Sequence, residues 1–229
     1  MTGIITAMTC EAEAVIKRLS DPRSNRIGNV EYTRGKLGNT EVVVAVCGVG
    51  KVFAGACTQT MIVDFGCSHI FNIGCAGSLS EKLDIKSIIS ATACVQHDMD
   101  TSSVGDPVGL ISGINVIELG CDEKFNADFA EFLAAKGETL KTGIIATGDR
   151  FIKSEEDRSY ISRTFGAVAG EMESAAVGQL CYANNVPYNA IRIITDKAGA
   201  ASNDEYCCNL PECAVKLAEL FIEYICTLS

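Results

Sequence analysis

The sequence predicts an α/β protein in which a parallel or mixed β-sheet is covered by helices on both faces. Three observations predict this class. Apolar runs of strand length alternate with segments of helical periodicity, turn residues separate them, and polar side chains follow the ends of the apolar runs. Strands separated by helices are typical of such sheets, whose ligands bind beyond the carboxyl ends of the strands. A chain of 229 residues with 48% hydrophobic residues can bury one large core, so we expect a single domain over residues 1–229.

The first half of the chain begins with strand, turn and helix. Thr9 can cap the first helix, which places Glu11 in its first turn. Two alternating segments flank Gly38-Asn39 and predict a hairpin. The predicted strands cover residues 1–8, 30–37, 41–47, 69–73 and 87–95, and the predicted helices cover residues 10–19 and about 51–65.

The second half continues the alternation. The final helix has apolar residues at positions 214, 217, 218, 221, 222 and 225, a stripe that faces a core. Residues 97–112 contain no clear element, and a loop of that length in a compact domain is more often functional than idle. The predicted strands cover residues 113–119, 139–147 and 188–195, and the predicted helices cover residues 123–136, 174–184 and about 203 onward.

Composition excludes several partners. The formal net charge of −10 gives no basic stripe for a phosphate backbone, so we expect no nucleic-acid partner. No stretch approaches the roughly 20 apolar residues of a membrane span and the first ten residues lack signal-peptide features, so we expect a cytoplasmic protein with no membrane partner. Twelve cysteines without a CxxC pair, beside two histidines, predict buried thiols and no metal site.

Two glycine motifs do not fit a nucleotide-binding loop. The first motif is "CGVGKVFAG", residues 47–55. Ala45, just before it, and Val52 stand where a P-loop needs glycine and a hydroxyl, and Phe53 takes the third glycine position of a dinucleotide fingerprint. A tight strand-to-helix turn is the simpler interpretation. The small residues of "GCAG", residues 74–77, either let a ligand approach the backbone or let the turn form.

Carboxylates dominate the polar residues expected at the strand ends. Each one alone is more often a cap or a solvent-facing residue. Together, with no histidine nearby, they predict acid and base chemistry of the kind used in glycoside cleavage. Residues two apart point about 200° apart on a helix, so the two glutamates of "GEMESAAV" share a site only if the helix begins between or after them. The set is Glu11, Asp149, Glu171, Glu173 and Asp196.

Six segments stand in an order and spacing that resemble a known family: "GIITAMTCEAE", "CGVGKV", "NIGCAGSL", "TGDRFI", "GEMESAAV" and "IRIITD". The sequence resembles the 5′-methylthioadenosine/S-adenosylhomocysteine nucleosidases of the nucleoside phosphorylase superfamily, from about Gly3 to Asp196 and more weakly beyond. The resemblance implies a three-layer α/β/α sandwich with a central mixed sheet, and a homodimer. It also implies hydrolysis, by water and without a metal or cofactor, of the bond between adenine and a 5′-thio-substituted ribose.

Carried over by motif position, the resemblance assigns roles to individual residues. Glu11 activates the attacking water, and Asp196 protonates adenine N7 so that the base leaves neutral. The oxocarbenium-like ribose is then favoured by surrounding carboxylates. On the sugar side, Glu173 accepts hydrogen bonds from the ribose hydroxyls, Met172 packs on the sugar and Glu171 helps to position the water. On the base side, Phe151 stacks on adenine and the Ile152 backbone binds its edge. Arg192 steadies the carboxylates, and the substrate-binding wall is completed by Cys75, Ala76 and Gly77.

Three features depart from the family pattern. Cys75 replaces a serine that hydrogen-bonds the catalytic aspartate, and a thiol is a weaker donor. The segment "TSSVGDPVG", residues 101–109, lacks the aromatic residues that line the 5′-alkylthio pocket from the neighbouring subunit. Arg150 stands where a small residue is usual, either as a surface charge or as a partner for an anionic group of another substrate.

Three other functions remain open at this stage. A phosphorylase needs a cationic cradle for phosphate, and the N-terminal segment has no arginine before Lys17, although Arg34 or Arg150 of a neighbouring subunit can supply one. A nucleosidase for aminodeoxyfutalosine or 5′-deoxyadenosine fits the same motifs. The third hypothesis is a non-catalytic nucleoside sensor. The presence of Glu11, Glu173 and Asp196 argues against it, because a sensor does not need both a water activator and an acid.

Overall fold

The computed structural model describes residues 1–199 and 202–228, and its order of elements confirms the α/β class. Helices and strands alternate through most of the chain. The strands are β1 (Thr2–Thr6), β2 (Ser20–Ile27), β3 (Val30–Leu37), β4 (Thr40–Val46), β5 (His69–Ser78), β6 (Ile88–Gln96), β7 (Leu119–Gly120), β8 (Leu140–Thr147), β9 (Ala167–Glu171) and β10 (Tyr188–Asp196). The helices are α1 (Thr9–Arg18), α2 (Lys51–Val63), α3 (Glu123–Ala135), α4 (Glu155–Phe165), α5 (Ser174–Asn184) and α6 (Ser202–Thr227).

The strands form one mixed sheet. Its order is β10-β6-β8-β9-β5-β1-β4-β3-β2, and β10 also pairs with β5, so that five strands close into a ring from which the others extend. The pairs β1–β4, β1–β5, β5–β10, β6–β8 and β8–β9 are parallel, and the rest are antiparallel. The central mixed sheet predicted from the sequence is therefore confirmed, while its closure into a ring was not predicted.

Helices cover both faces of the sheet. Helices α2 and α5 pack together over a core that includes Met61 and Val177. Helices α1, α3 and α6 cover the opposite face over a second core that includes Phe129 and Phe221. Within the described ranges, no helix is long and apolar enough to cross a membrane.

The closed ring brings the carboxyl ends of two groups of strands together. Strands β5 and β9 are antiparallel and meet near their last residues, with Gly77 opposite Gly170. Strand β8 runs parallel to β9 and places Thr147 opposite Glu171. Strand β10 runs parallel to β5 and places Asp196 opposite Gly77 after an irregularity in register. Four of the five carboxylates expected at the strand ends, Glu11, Glu171, Glu173 and Asp196, thus converge on one place, whereas Asp149 lies outside it.

Four details of the chain differ from the sequence-based expectation. Thr9 does not cap α1, because the helix already begins at Thr9 and Met8 takes the cap position. The predicted strand over residues 113–119 is wrong, because only Leu119–Gly120 joins the sheet and Val116 makes an isolated bridge to Ile111. Strand β2 was missed because it is an almost fully exposed, polar edge strand that pairs only with β3. Helix α4 was also missed, although Ser154 caps it and Gly166 ends it in the left-handed conformation.

Candidate active site

The strand ends enclose a cavity of about 230 Å³. Ten of the eleven site residues predicted from the sequence line it, and the eleventh, Arg192, lies directly beneath it. Four carboxylates face this cavity, and Arg150 is the only cationic side chain among the described residues that lines it. The predicted lining residues are Glu11, Cys75, Ala76, Gly77, Phe151, Ile152, Glu171, Met172, Glu173 and Asp196.

Glu11 is held at the start of α1 by backbone amides. Its Oε2 accepts from the amides of Ala7 at 3.1 Å and Met8 at 3.0 Å, and its Oε1 accepts from the amide of Cys75 at 3.1 Å. Burial raises the pKa of Glu11 above its ordinary value, and these amides oppose that rise. The carboxylate is therefore fixed in orientation, and its raised pKa favours uptake of a proton.

The glycines of "GCAG" leave room for two carboxylates. A Cβ on Gly74 would lie 2.7 Å from Oε1 of Glu11, and a Cβ on Gly77 would lie 2.9 Å from Oδ1 of Asp196. Neither glycine has a positive φ, so space and not backbone conformation requires them. The carboxylates of Glu11 and Asp196 thus occupy the space that the two glycines leave, and residues 75–77 also line the cavity, so a ligand can still approach this segment.

Asp196 ends β10 at the irregularity in the sheet register. Its Oδ1 accepts from the amide of Ala198 at 2.9 Å, and its Oδ2 accepts from the hydroxyl of Thr195 at 3.0 Å. Burial raises the pKa of Asp196, against the effect of these two donors. These two donors hold the aspartate, and the thiol-for-serine change at Cys75 does not leave its carboxylate without hydrogen bonds.

Glu171 belongs to a buried ion-pair network. Its Oε2 lies 2.5 Å from Nη2 of Arg192, and its oxygens also accept from the hydroxyl of Thr147 and the amide of Ser174. Burial alone would raise the pKa of Glu171, but Arg192 and these donors lower it below the ordinary value. Arg192 itself also donates to the backbone carbonyl of Asn72 at 2.7 Å. The predicted contact of Arg192 with a carboxylate is present, as a fully buried pair.

The junction of β9 and α5 sets Glu171 and Glu173 at the same cavity. Strand β9 ends at Glu171 and α5 begins at Ser174, so the helix starts after both glutamates, as their shared use requires. Oε1 of Glu173 accepts from the amide of Gly50 at 2.8 Å. Burial, and then the charge of Glu171, raise the pKa of Glu173 to about 7. The two neighbours therefore differ in charge state near neutral pH.

Part of the cavity wall was not predicted from the sequence. Met8, Val49 and Tyr206 line it beside Phe151, and the hydroxyl of Tyr206 donates to Sδ of Met8 at 3.2 Å. The ring of Tyr206 meets that of Phe151 edge to face at 5.7 Å between centroids. Tyr206 carried no local signal, because it lies in a helix whose visible pattern is its core-facing stripe. Met8 ends the predicted strand over residues 1–8 and Val49 follows the strand over residues 41–47, but the prediction covered only polar residues at strand ends, so these two were not selected.

Arg150 has a partner outside the cavity. Its Nη2 pairs with Oδ1 of Asp157 in the first turn of α4, and its side chain is about half exposed. Arg34, the other arginine considered for phosphate, lies over the ring of Phe65 at 4.5 Å from the centroid and does not line the cavity. In the described part of this chain, the cavity thus lacks a cluster of cations.

Comparisons with known proteins show which family the chain resembles. The model of the phosphorylase superfamily matches residues 2–226. The aminodeoxyfutalosine nucleosidase of Campylobacter jejuni is 34% identical over 227 residues, covering 98% of this chain and 97% of that protein. The 5′-methylthioadenosine/S-adenosylhomocysteine nucleosidase of Staphylococcus haemolyticus is 33% identical over 204 residues, 89% of each chain.

A solved structure shares the whole fold. A mutant of the Helicobacter pylori 5′-methylthioadenosine/S-adenosylhomocysteine nucleosidase, with 5′-methylthioadenosine in its active site, superposes with a TM-score of 0.94 at 30% identity. The match covers 98% of this chain and 97% of that one. With its carboxylate-lined cavity at the converging strand ends, the chain belongs to the phosphorylase superfamily and, within it, to the 5′-methylthioadenosine/S-adenosylhomocysteine nucleosidase family of N-glycosyl hydrolases.

Proposed function

We propose that the protein hydrolyses the N-glycosidic bond of 5′-methylthioadenosine, S-adenosylhomocysteine or both, and releases adenine and the 5′-thio-substituted ribose. One observation carries the proposal: Glu11 and Asp196 are both buried, both face one cavity, and both have raised pKa values. Neither forms an ion pair with any residue in the described ranges. A pair of this kind can exchange protons with a bound substrate, as acid and base catalysis at a glycosidic bond requires.

In the proposed mechanism Glu11 acts on the attacking water and Asp196 acts on the leaving base. Glu11, oriented by three backbone amides, takes a proton from the water that attacks C1′. Burial raises the pKa of Asp196, which favours its protonated form, and in that form Asp196 gives a proton to N7 of adenine. The ribose becomes positive at C1′ as the bond breaks, and the ionised carboxylates around the cavity stabilise that charge.

Other lining residues hold the two halves of the substrate. Glu173, fixed by the amide of Gly50, accepts hydrogen bonds from the ribose hydroxyls once it is ionised. Met172 packs on the sugar, and Glu171 orients the water. The ring of Phe151, 42% exposed here, stacks on adenine, and the Ile152 backbone binds the edge of the base.

The alternative substrate is aminodeoxyfutalosine. The relative from Campylobacter jejuni named for that activity is as similar to this chain as the methylthioadenosine relatives. The wall formed by Met8, Val49 and Tyr206 mixes a thioether, an aliphatic side chain and a phenol. Such a wall suits an alkylthio group and also an aromatic substituent.

We further infer a homodimer and a cytoplasmic location. Helix α2 exposes a row of large apolar side chains, with Val52 at 80%, Phe53 at 51% and Val63 at 65% exposed. A surface of this kind beside the cavity suits a second copy of the chain. Several buried cysteines, such as Cys57 and Cys181, are thiols, which suits a reducing compartment.

The test is adenine release from a panel of 5′-substituted adenosines, with and without phosphate. We expect release from methylthioadenosine or adenosylhomocysteine at rates that do not depend on phosphate. Strict dependence on phosphate would identify a phosphorylase instead. Preferred release from aminodeoxyfutalosine would establish the alternative substrate, and binding without release from any compound would identify a sensor.

A further inference from the structure

The turn "GVGK", residues 48–51, is part of a hydrogen-bonded cluster outside the cavity. Nζ of Lys51 donates to Oδ1 of Asp98 at 2.6 Å, and the amide of Lys51 donates to Oδ1 of Asp149 at 2.8 Å. The other oxygen of Asp98 accepts from the amide of Asp149 at 2.9 Å. Lys51, Asp98 and Asp149 thus close a ring of hydrogen bonds, called here the Lys51 cluster. Asp98 and Asp149 follow Lys51 by 47 and 98 positions in the chain.

One side of the Lys51 cluster leads to the sugar end of the cavity. The amide of Gly50, next to Lys51, donates to Oε1 of Glu173 at 2.8 Å. Gly50 has a φ of 101°, which favours glycine, and a Cβ there would lie 3.0 Å from Oδ1 of Asp149. The direction of this amide therefore depends on the position of Asp149, which Asp98 holds by its backbone amide and which depends in turn on the bond between Asp98 and Nζ of Lys51.

The other side leads to the base end. Asp149 begins the segment of residues 149–152, which carries Phe151 and the Ile152 backbone. Asp98 holds the amide of Asp149, so it fixes where this segment leaves β8. None of the three cluster residues lines the cavity.

The Lys51 cluster is partly shielded from water. The side chains of Lys51 and Asp98 are 19% and 27% exposed. Burial opposes ionisation of Asp98, but the hydrogen bonds from Lys51 and from the amide of Asp149 lower its pKa below the ordinary value. Nζ of Lys51 also donates to Gln96 at 3.1 Å. The contacts of the Lys51 cluster thus favour the ionised form of Asp98.

We propose that Lys51 and Asp98 are positioning residues that hold Glu173 and the base-binding segment of residues 149–152 at a fixed separation, so that ribose and adenine are gripped together. The inference rests on the proposed function, because it assigns these residues to binding of a nucleoside. The cluster touches neither the attacking water nor the leaving base, so its loss acts through geometry.

The first test is the variant Lys51→Met, which keeps the length of the side chain and removes its charge. We expect kcat/KM for methylthioadenosine to fall about 10- to 100-fold, mainly through KM, because a misplaced binding group weakens catalysis from a distance. Asp98→Asn keeps an acceptor for the amide of Asp149, and we expect a smaller loss in the same direction. The matched control is Lys124→Met, which removes an exposed lysine from an ion pair with Asp128 and should leave kcat/KM unchanged.

The second readout separates positioning from a general loss of structure. With the 2′- and 3′-deoxy forms of the substrate, Glu173 has fewer hydroxyls to bind, so the ratio of wild-type to Lys51→Met activity should shrink. A ratio that stays the same for all three substrates would overturn the inference, as would an unchanged KM. If Lys51→Met fails to fold, Asp98→Asn decides by the same ratio. A wild-type protein that releases no adenine overturns the proposed function and this inference together, whereas an active wild type with indifferent variants overturns the inference alone.

Discussion

The carboxylates of the cavity fall into two regions that are equally buried and differ in their partners. Glu171, in the floor of the cavity, is 8% exposed and pairs with Arg192. Glu11, Glu173 and Asp196, in the walls, are 3%, 7% and 2% exposed and have no ion pair among the described residues. The pKa of Glu171 is lowered, and those of the other three are raised. Since burial is similar, the cationic partner decides the direction.

The comparison shows how one residue type can serve as anchor and as reactive group in the same cavity. The ionised form of Glu171 is stabilised by Arg192, the hydroxyl of Thr147 and the amide of Ser174, so at neutral pH Glu171 stabilises the folded state. The walls instead use backbone amides and a hydroxyl, which orient a carboxylate without holding it fully ionised. The proton exchange that we propose thus involves the wall carboxylates and not Glu171.

The strongest test of the comparison is to remove the cation from the floor. In Arg192→Met, Glu171 is left as a buried carboxylate without its partner, and we expect the free energy of unfolding to fall by about 3–5 kcal/mol, with loss of activity. Urea denaturation measures the change. The control Lys86→Met removes an exposed ion pair with Glu212 and should leave the free energy of unfolding nearly unchanged. Equal losses in the two variants would show that the buried pair has no special weight.

A wall carboxylate should behave in the opposite way. Asp196→Asn removes a transferable proton without changing size, so we expect adenine release to fall by about 10²- to 10⁴-fold. The free energy of unfolding should change little, because Asp196 has no ion pair among the described residues to lose. Steady-state assays and urea denaturation together check both statements, with the exposed Asp128→Asn as the control. Near-normal turnover would remove Asp196 from the mechanism.

The packing of Glu11 against β5 gives a finer test. In Gly74→Ala the new Cβ would lie 2.7 Å from Oε1 of Glu11, so the carboxylate has to move. We expect activity to fall about 10- to 100-fold, since a displacement near 1 Å is enough for such a loss. Gly120→Ala is the matched control, because its Cβ meets nothing within 4 Å. Activity retained in Gly74→Ala would mean that the position of Glu11 is not critical.

The sequence predicted the fold and the place of the site because both follow local rules. Apolar runs ending in polar residues located Asp196 and Glu171 at strand ends, and the predicted helix start near Thr9 placed Glu11 in the first turn. The helix was predicted to begin at Ser174, and the 200° separation of residues two apart on a helix made such a start the condition for Glu171 and Glu173 to share a site. Each of these depends on neighbours within a few positions of the chain.

What remained outside prediction depends on contacts between distant segments or on weak local patterns. The polar strand β2 gives no alternation to detect, since its side chains are almost all exposed. The ring closure of β10 on β5 is a matter of sheet curvature. The hydrogen bonds of Lys51 with Asp98 and Asp149 join segments that only the folded sheet brings together. No local motif distinguishes the pKa of Glu173 from that of Glu171 two residues earlier.

Glu173→Gln turns that last distinction into a measurement of stability against pH. The pKa of Glu173 is about 7 in the folded protein and near 4.5 ordinarily, so the folded state binds this proton more tightly. The resulting stability is present at low pH and is lost as the pH rises from about 4.5 through about 7. Glutamine stays neutral and can still accept from the amide of Gly50, so the variant should be more stable than the wild type at high pH, on the order of 1 kcal/mol. Urea denaturation at several pH values should show this gain vanish below the ordinary pKa, while kcat/KM falls because the ribose acceptor has lost its charge. The same change at Glu171 should destabilise the protein at neutral pH, and the same sign at both positions would refute the division into floor and walls.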